Sequence, residues 1–379
     1  MVRSVRLPYG THVRAVTDSF ETLDSLLVPA AKALPSNAAY LAHLDLAGAD
    51  GDLIRLASNE NTEPPSPLVR EALVRAYDDA NLSPPTRPAL RLALAERFGV
   101  APERVLLSAG STEVIDAAMR TFVRAGDEVI LPHPSWPVFK RRLTALETNI
   151  VEVPLAVTDR SWVYDVDALL AAVGGRTKMI ILCSPNNPTG NSLAIDDVRR
   201  CAEAGPVLLL DAAYADFDPE VDLSPLIHEY PNVILTRTFS KAYCLAGLRL
   251  GYAVGDASVL DYVDRFLVPG SSVSSAALHA GLACLEDEAH HDRQVRRIIA
   301  ERERVLGRLR GLGLAVYESH GNFLAVDAST YAGGAPALVA AVLEHGVVIR
   351  AISDTIARIS VGTAPENDAA IGALAATAR

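Results

Sequence analysis

The 379-residue sequence contains very little lysine: Lys32, Lys140, Lys178 and Lys241 stand against thirty-one arginines. A lysine inside a patterned segment therefore needs a specific explanation. No run of eighteen apolar residues occurs, and the basic N-terminus lacks the apolar core of a signal peptide. We expect a soluble, cytoplasmic protein with no membrane partner.

Cysteine is also scarce, with four residues that show neither CxxC spacing nor a Cys/His cluster. This pattern predicts no disulfide framework and no metal site, and it suits a reducing compartment. The net charge of −11 and the absence of an extended basic run argue against a nucleic-acid partner. With 50% apolar and 21% charged residues, the composition is typical of a globular protein with a large core.

Two glycine-rich phosphate motifs are missing from the sequence, namely GxGxxG after a strand and GxxxxGK[ST]. Phosphate binding stays open, because residues 110–112 (GST) precede a predicted helix whose free N–H groups favour an anion. Thr238, Ser240 and Arg249 would add two hydroxyls and a guanidinium. Ordinary helix capping is an equal explanation for these serines and threonines when they are taken alone.

Short apolar runs alternate with helical patterns between residues 66 and 255. The runs are RVLLSAG, DEVILPHP, IVEVPL, KMIILCSP, PVLLLDAAY and NVILTRTFS. They are apolar at consecutive positions, which predicts a mostly parallel α/β sheet covered by helices on both faces. Residues 66–80 predict a helix with one apolar face, made of Leu68, Val69, Leu73, Val74 and Tyr77.

The pattern changes after residue 255. A long charged helix is predicted near 287–312, followed by candidate strands in GNFLAVD and ARISVG with a helix around 335–345 between them. We therefore predict an N-terminal segment (1–64) that packs with the small domain, a large domain (65–255) and a small α+β domain (256–379).

Polar residues follow five of the apolar runs, where the predicted strands end. They lie at 108–112, 132–136, 184–187, 211 and 238–241. Open α/β sheets bind ligands at the carboxyl ends of their strands, so these residues predict a site at one edge.

Each of these residues has an ordinary structural explanation when it is considered alone: Trp136 as core filler, Asn187 as a turn former, Asp211 as a helix cap and Tyr214 as packing. Together with Lys241 they match the needs of pyridoxal phosphate. This cofactor requires a lysine amine, a carboxylate beside the pyridine nitrogen, donors at the phenolic O3′, a stacking ring and a phosphate cup.

Three ordered blocks carry a family resemblance: SPNNPTG (184–190), DAAYADF (211–217) and TFSKAYCLAGLRLGY (238–252). They resemble the signature segments of fold-type I, class I/II pyridoxal-phosphate aminotransferases, and are most similar to the histidinol-phosphate aminotransferase branch. The resemblance runs from SNEN (58–61) to RISVGTAPEND (358–368). It implies an aspartate-aminotransferase-like large domain with a mostly parallel seven-stranded sheet, a smaller α+β domain and a homodimer. It also implies transfer of an amino group from an amino acid or amino-alcohol phosphate to a 2-oxo acid.

The resemblance further implies a role for each site residue. Lys241 would form the Schiff base and act as general base and acid, Asp211 would pair with the pyridinium, and Tyr214 and Asn187 would contact O3′. Trp136 would stack on the ring. The phosphate would be held by Ser111, Thr112, Thr238, Ser240 and Arg249. The substrate would be bound by Arg358 at its α-carboxylate, with Asn187 beside it. Arg350 would bind a second anion or, alternatively, cap a strand end and pair with an acid on the surface. His320 and Asn322 lie just before FLAV, close enough in sequence to line the substrate pocket.

Three features differ from the histidinol-phosphate branch: Ser83 where a tyrosine is usual, Thr62 where a proline is usual, and a short loop at 351–357. They leave open a pyridoxal-phosphate enzyme of the same fold that decarboxylates, eliminates, cyclises or oxidises an amino acid. A DNA-binding regulator is disfavoured, because the sequence has no basic region.

Overall fold

The computed structural model describes residues 27–36, 53–85, 88–268 and 272–377. The helices are α1 (Pro29–Ala33), α2 (Pro67–Asp78), α3 (Ala89–Phe98), α4 (Ser111–Phe122), α5 (Pro137–Ala145), α6 (Val166–Ala171), α7 (Ile195–Glu203), α8 (Leu226–Glu229), α9 (Ala257–Asp264), α10 (Ser275–Glu286), α11 (Glu288–Gly311), α12 (Gly334–Leu343) and α13 (Ala364–Thr377). Among these described residues, none of the helices combines the length and apolarity that crossing a bilayer requires.

The strands are β1 (Ile54–Arg55), β2 (Val105–Ser108), β3 (Glu128–His133), β4 (Asn149–Pro154), β5 (Ala156–Val157), β6 (Trp162–Val163), β7 (Thr177–Cys183), β8 (Val207–Asp211), β9 (Val233–Thr238), β10 (Gly251–Gly255), β11 (Ala315–Val316), β12 (Phe323–Asp327), β13 (Val347–Val348), β14 (Arg350–Ala351) and β15 (Ile356–Ser360). All six apolar runs form strands: β2, β3, β4, β7, β8 and β9.

The large lobe is built on a seven-stranded sheet with the order β2–β10–β9–β8–β7–β3–β4 within the described residues. Its strands pair in parallel except β10, which is antiparallel to both β2 and β9. Neighbouring residues of one strand enter different cores: Ile180 packs in the core beside α7, and Ile181 packs in the core beside α4 and α5. The predicted mostly parallel α/β sheet with two covered faces is thereby confirmed.

The predicted helix at 66–80 forms as α2, and the Ser66 hydroxyl caps it by accepting from the Leu68 N–H at 3.1 Å. Its predicted apolar face is confirmed at Val69, which is buried, and at Leu68 and Leu73, which pack against the core, but it is wrong at Val74 and Tyr77. The small residues Ala72 and Ala76 are buried, whereas Val74 is 68% and Tyr77 80% exposed. Helix α2 packs against α10, and alanines on the buried stripe permit that close approach, so the larger side chains point outward.

The small lobe contains an antiparallel sheet with the order β11–β12–β15–β14. Its core includes Leu324, Ile359 and Leu374 together with Leu56 from the N-terminal side. Strand β1 pairs in parallel with β13, Ile54 opposite Val347, which ties the N-terminal segment to this lobe.

Helices α9 and α10 pack in the cores of the large lobe, through Leu260 and Ala280 respectively. Helix α11 then contributes Ile298 to the large core and Val305 to the small one. We therefore propose that the boundary between the lobes lies in α11 rather than at residue 255.

Candidate active site

A cavity of about 570 Å³ opens at the carboxyl edge of the large sheet. Twelve of the thirteen predicted site residues line it: Ser111, Thr112, Trp136, Asn187, Asp211, Tyr214, Thr238, Ser240, Lys241, Arg249, Arg350 and Arg358. Asn322 does not. The parallel strands bring these residues together because their carboxyl ends meet at one edge.

Two glycines allow one wall of the cavity to form. Gly110, at φ +78°, caps α4, and a Cβ atom there would lie 2.7 Å from Nη2 of Arg249. A Cβ atom on Gly251 would lie 2.2 Å from the Ser111 nitrogen. Glycine at both positions lets a guanidinium and a helix N-terminus lie close to the sheet.

The hydroxyls of Thr238 and Ser240 complete this wall. Thr238 Oγ1 donates to Ser240 Oγ at 3.0 Å and accepts from the Ser240 N–H at 3.1 Å. Arg249 is held by Nη1, which donates to the Ala246 carbonyl at 2.9 Å. We call Ser111, Thr112, Thr238, Ser240 and Arg249 the anion cradle, because a helix N-terminus, hydroxyls and a guanidinium favour an anion.

Lys241 follows β9, and its Nζ donates to the Ser58 carbonyl at 3.1 Å. It also lies 5.7 Å from the ring centroid of Tyr214. Burial, and then the positive charge of Arg358, lower the pKa of the Lys241 amine to about 7. A large fraction of this amine is therefore an uncharged nucleophile at neutral pH.

Asp211 ends β8 and is 4% exposed. Its Oδ1 accepts from Thr236 Oγ1 at 3.2 Å, and its Oδ2 lies 4.0 Å from Cys183 Sγ. Burial raises the pKa of this carboxyl to about 6. The site therefore holds a carboxyl that a positive partner would ionise.

The hydroxyl of Tyr214 accepts from two amides, Asn59 Nδ2 at 3.1 Å and Asn187 Nδ2 at 3.2 Å. Burial raises the pKa of Tyr214 above its ordinary value. The ring packs edge-on against Phe323, with 5.1 Å between centroids. Tyr214 is therefore a neutral phenol at physiological pH.

Arg358 lies on β15, directly opposite Arg350 on β14. It is 5% exposed, with Nη1 donating to Asn187 Oδ1 and Nη2 donating to the Ala57 carbonyl, both at 2.6 Å. The neighbouring strands thus bring two guanidiniums from the small lobe to the cavity.

Asn322 lies behind the cavity wall, where its Nδ2 donates to the Asn59 carbonyl at 3.0 Å. We therefore propose it as a support for the wall rather than as a substrate contact. His320, two residues earlier, lies 3.2 Å from Asp218 through Nδ1. The wall residues that were not predicted as site residues include the consecutive Ser58, Asn59 and Glu60. In the sequence, SNEN (58–61) marked only one end of the family resemblance. Asparagine tolerates the left-handed conformation that Asn59 adopts at φ +52°.

A second cavity of about 730 Å³ shares Trp136, Pro188 and Ile352 with the first. Glu152 on its wall is paired with His133 at 3.1 Å and Lys140 at 2.8 Å.

A lysine with a lowered pKa, a buried carboxyl and an anion cradle meet at the carboxyl edge of an α/β sheet, an arrangement typical of enzyme active sites. Residues 51–374 match the family model described as aminotransferase class I and II. The chain belongs to this family, so the predicted family is confirmed.

Two curated relatives extend over most of the chain. It is 38% identical over 331 residues to histidinol-phosphate aminotransferase 2 of Caulobacter vibrioides, which covers 85% of both chains. It is 37% identical over 328 residues to an aromatic amino acid aminotransferase of Cutibacterium acnes, which covers 85% of this chain and 91% of the relative.

Among solved structures, the histidinol-phosphate aminotransferase of Sinorhizobium meliloti in complex with pyridoxal-5′-phosphate has a TM-score of 0.83 and 29% identity. The alignment covers 96% of this chain and 99% of that one. The aspartate aminotransferase of Thermus thermophilus, at 24% identity and a TM-score of 0.81, shares the fold.

Proposed function

We propose that this class I and II aminotransferase attaches pyridoxal phosphate to Lys241 and moves an amino group from an amino donor to a 2-oxo acid. The observation that carries the proposal is the convergence of Lys241, Asp211 and the anion cradle on one cavity. The enzyme is a pyridoxal-phosphate-dependent aminotransferase, and the roles of its individual residues are our proposal.

The side chains that line the cavity match the chemical groups of this cofactor. Glycine at positions 110 and 251 lets Arg249 and the N-terminus of α4 come together as a cradle for a phosphate, and Lys241 offers an amine that is partly neutral at pH 7. Asp211 would hold the ring nitrogen, Trp136 would stack on the ring, and Tyr214 and Asn187 would contact O3′. When bound, the cofactor supplies an aldehyde and a ring that accepts negative charge from the substrate carbon.

The side chains of the small lobe would orient the substrate. A guanidinium binds a carboxylate in a bidentate manner, so Arg358 would fix both the distance and the plane of the α-carboxylate. Lys241 would then take the proton from Cα as general base and return a proton as general acid. Arg350, directly opposite on β14, would meet a second anionic group of the substrate, such as a phosphate.

A homodimer is also proposed, with the exposed apolar side chains of α2 and the loop after it in the contact. Val74, Tyr77 and Leu82 are 68%, 80% and 62% exposed. Large apolar side chains exposed together favour a protein contact. We further propose a cytoplasmic protein, which the four free cysteines support, and no nucleic-acid partner, which the net charge of −11 supports.

The attachment site is tested by borohydride reduction of the purified, coloured protein followed by peptide mapping. We expect the label on the peptide that contains Lys241, and no label in Lys241→Arg. Lys140→Arg is the matched control, because Lys140 lines only the second cavity. A label on Lys32, Lys140 or Lys178, or a colourless protein, would overturn the proposal.

The reaction type is tested by mixing the enzyme with single amino donors without oxygen. An aminotransferase converts its cofactor to the amine form in one turnover and recovers the starting spectrum when a 2-oxo acid is added. A decarboxylase would release carbon dioxide and recover unaided, and an oxidase would stall until oxygen is admitted. Failure of every amino acid and amino-alcohol phosphate to give the amine form would favour these alternatives.

A further inference from the structure

Three consecutive residues between β1 and α2 are contacted by both lobes. The Ala57 carbonyl accepts from Arg358 Nη2, and the Ser58 carbonyl accepts from Lys241 Nζ. Asn59 follows, 1% exposed and in the left-handed conformation. Asparagine adopts this conformation more readily than other residues with a side chain, so position 59 suits it.

Every polar group of Asn59 has a partner. Its N–H donates to Ser360 Oγ at 2.7 Å, and its carbonyl accepts from Asn322 Nδ2 at 3.0 Å. Because Ser360 Oγ accepts that N–H, its own proton is available to Asn59 Oδ1, 3.2 Å away. This contact turns Nδ2 of Asn59 toward Tyr214. The small lobe therefore determines which way the amide faces.

The second amide on Tyr214 is fixed in the same manner. Asn187 Oδ1 accepts from Arg358, so Asn187 Nδ2 faces the tyrosine hydroxyl. A phenolic oxygen carries one proton and two lone pairs. Two amide donors occupy both lone pairs, so the Tyr214 proton has no acceptor in either amide.

We propose that Asn59 is a positioning residue that, together with Asn187, makes the Tyr214 hydroxyl a hydrogen-bond donor directed into the cavity. The link runs from Ser360 of the small lobe through the Asn59 amide to Tyr214 of the large lobe. Neither the sequence motifs nor the relatives' names assign this role.

The consequence rests on the function proposed above, because it concerns the O3′ oxygen of the cofactor. A donor aimed at O3′ stabilises its ionised form and so favours loss of the proton from the linkage with Lys241. Without the Asn59 amide, one lone pair of the Tyr214 oxygen has no donor. The hydroxyl can then rotate, so its proton is directed at O3′ for less of the time. The pKa of the cofactor's visible absorbance should rise by about 0.5 to 1 unit, the size expected for one neutral hydrogen bond.

The test is a spectroscopic pH titration of the loaded enzyme for Asn59→Ala, Tyr214→Phe and the double variant. Asn59→Ala should raise the pKa of the absorbance, and it should cause no further shift when Tyr214 is already phenylalanine. Asn61→Ala is the matched control: Asn61 is buried two residues away and contacts Gln294 and Arg297 instead. It should leave the pKa unchanged.

An unchanged pKa in Asn59→Ala, or an equal shift in the Tyr214→Phe background, overturns the inference while the proposed function stands. A wild-type enzyme without absorbance on Lys241 overturns the proposed function itself. Should Asn59→Ala fail to fold by circular dichroism, Ser360→Ala carries the test, because it frees the amide to turn. That variant should give a smaller rise in the pKa of the absorbance, and no rise overturns the inference.

Discussion

Replacement of Asp211 by asparagine should stabilise the cofactor-free protein and strongly reduce turnover of the loaded enzyme. The carboxyl is 4% exposed, and burial raises its pKa from 3.8 to about 6. Each pKa unit corresponds to 1.36 kcal/mol, so the ionised group costs about 3 kcal/mol of folding free energy at pH 7 and above. Asparagine removes this cost and keeps the shape of the side chain.

The sign of the effect fixes its pH dependence. The folded pKa of Asp211 lies above the unfolded one, so its favourable contribution is complete below pH 3.8 and is lost as the pH rises through about 6. The stability gain of Asp211→Asn over wild type should therefore be close to zero at pH 4 and full at pH 8.

Asp216 provides a matched control on the same segment. It is also buried, but it accepts from Arg237 Nη2 at 2.9 Å and contacts His291 Nε2 at 3.1 Å. These partners hold the pKa of Asp216 below its usual range. Asp216→Asn leaves the partly buried Arg237 guanidinium, 20% exposed, without its carboxylate and should destabilise the protein, opposite in sign to Asp211→Asn.

Urea unfolding of the three cofactor-free proteins at pH 4, 6 and 8, followed by tryptophan fluorescence, measures these differences. The loaded Asp211→Asn protein should keep its cofactor and lose at least about a hundredfold in turnover, because its ring nitrogen lacks a negative partner. The reasoning would be refuted if Asp211→Asn had a lower urea midpoint than wild type at pH 8. It would also be refuted if the difference between the two midpoints did not vary with pH.

Four further predictions follow from the contacts described above. Arg358→Lys should raise KM and lower kcat together in steady-state assays, because an ammonium cannot form the bidentate contact; a change in KM alone would contradict this. The rate at which pyridoxal phosphate attaches to the cofactor-free enzyme should rise with pH around 7, the pKa of Lys241, and a midpoint near 10.5 would be evidence against its burial. Glu147→Gly should add about 0.5–1 kcal/mol to the free energy of unfolding, since this exposed residue adopts φ +55°, whereas Glu147→Ala should add nothing. Tyr77→Glu should shift sedimentation from dimer to monomer, and a fully active wild-type monomer would exclude the dimer.

The sequence was sufficient to predict the sheet because its signal is local. Consecutive apolar residues in β7 and β8 require two covered faces whatever their partners are, and a polar residue at a strand end must lie at the carboxyl edge. The exposure of Val74 and Tyr77 on α2 could not be predicted in this way. Which side of a helix is buried depends on how closely the neighbouring helix approaches. Helix α10 packs against α2, where Ala72 and Ala76 are buried and Val74 and Tyr77 are exposed.

The wall residues 58–60 were missed for a different reason. Asn59 meets residues 155 and 301 positions away, Tyr214 and Ser360, and no pattern within a local window records such contacts. Asn322 was predicted to line the cavity because it lies just before β12. Its amide instead donates to the Asn59 carbonyl, a contact between distant residues that the sequence does not reveal.

The pairing of β1 with β13 bears on the order in which the chain folds during synthesis. Ile54 finds its partner Val347 only after almost three hundred further residues have been made. The strands from β2 to β10, in contrast, lie within a continuous stretch that ends at Gly255. We therefore expect the strands of the large sheet to pair during synthesis, before β1 can pair with β13. The small-lobe wall of the cavity forms only after β15 has been synthesised. We expect a chain that ends before residue 358 to lack the guanidinium of Arg358 and most of β15, which leaves the cavity without its small-lobe wall.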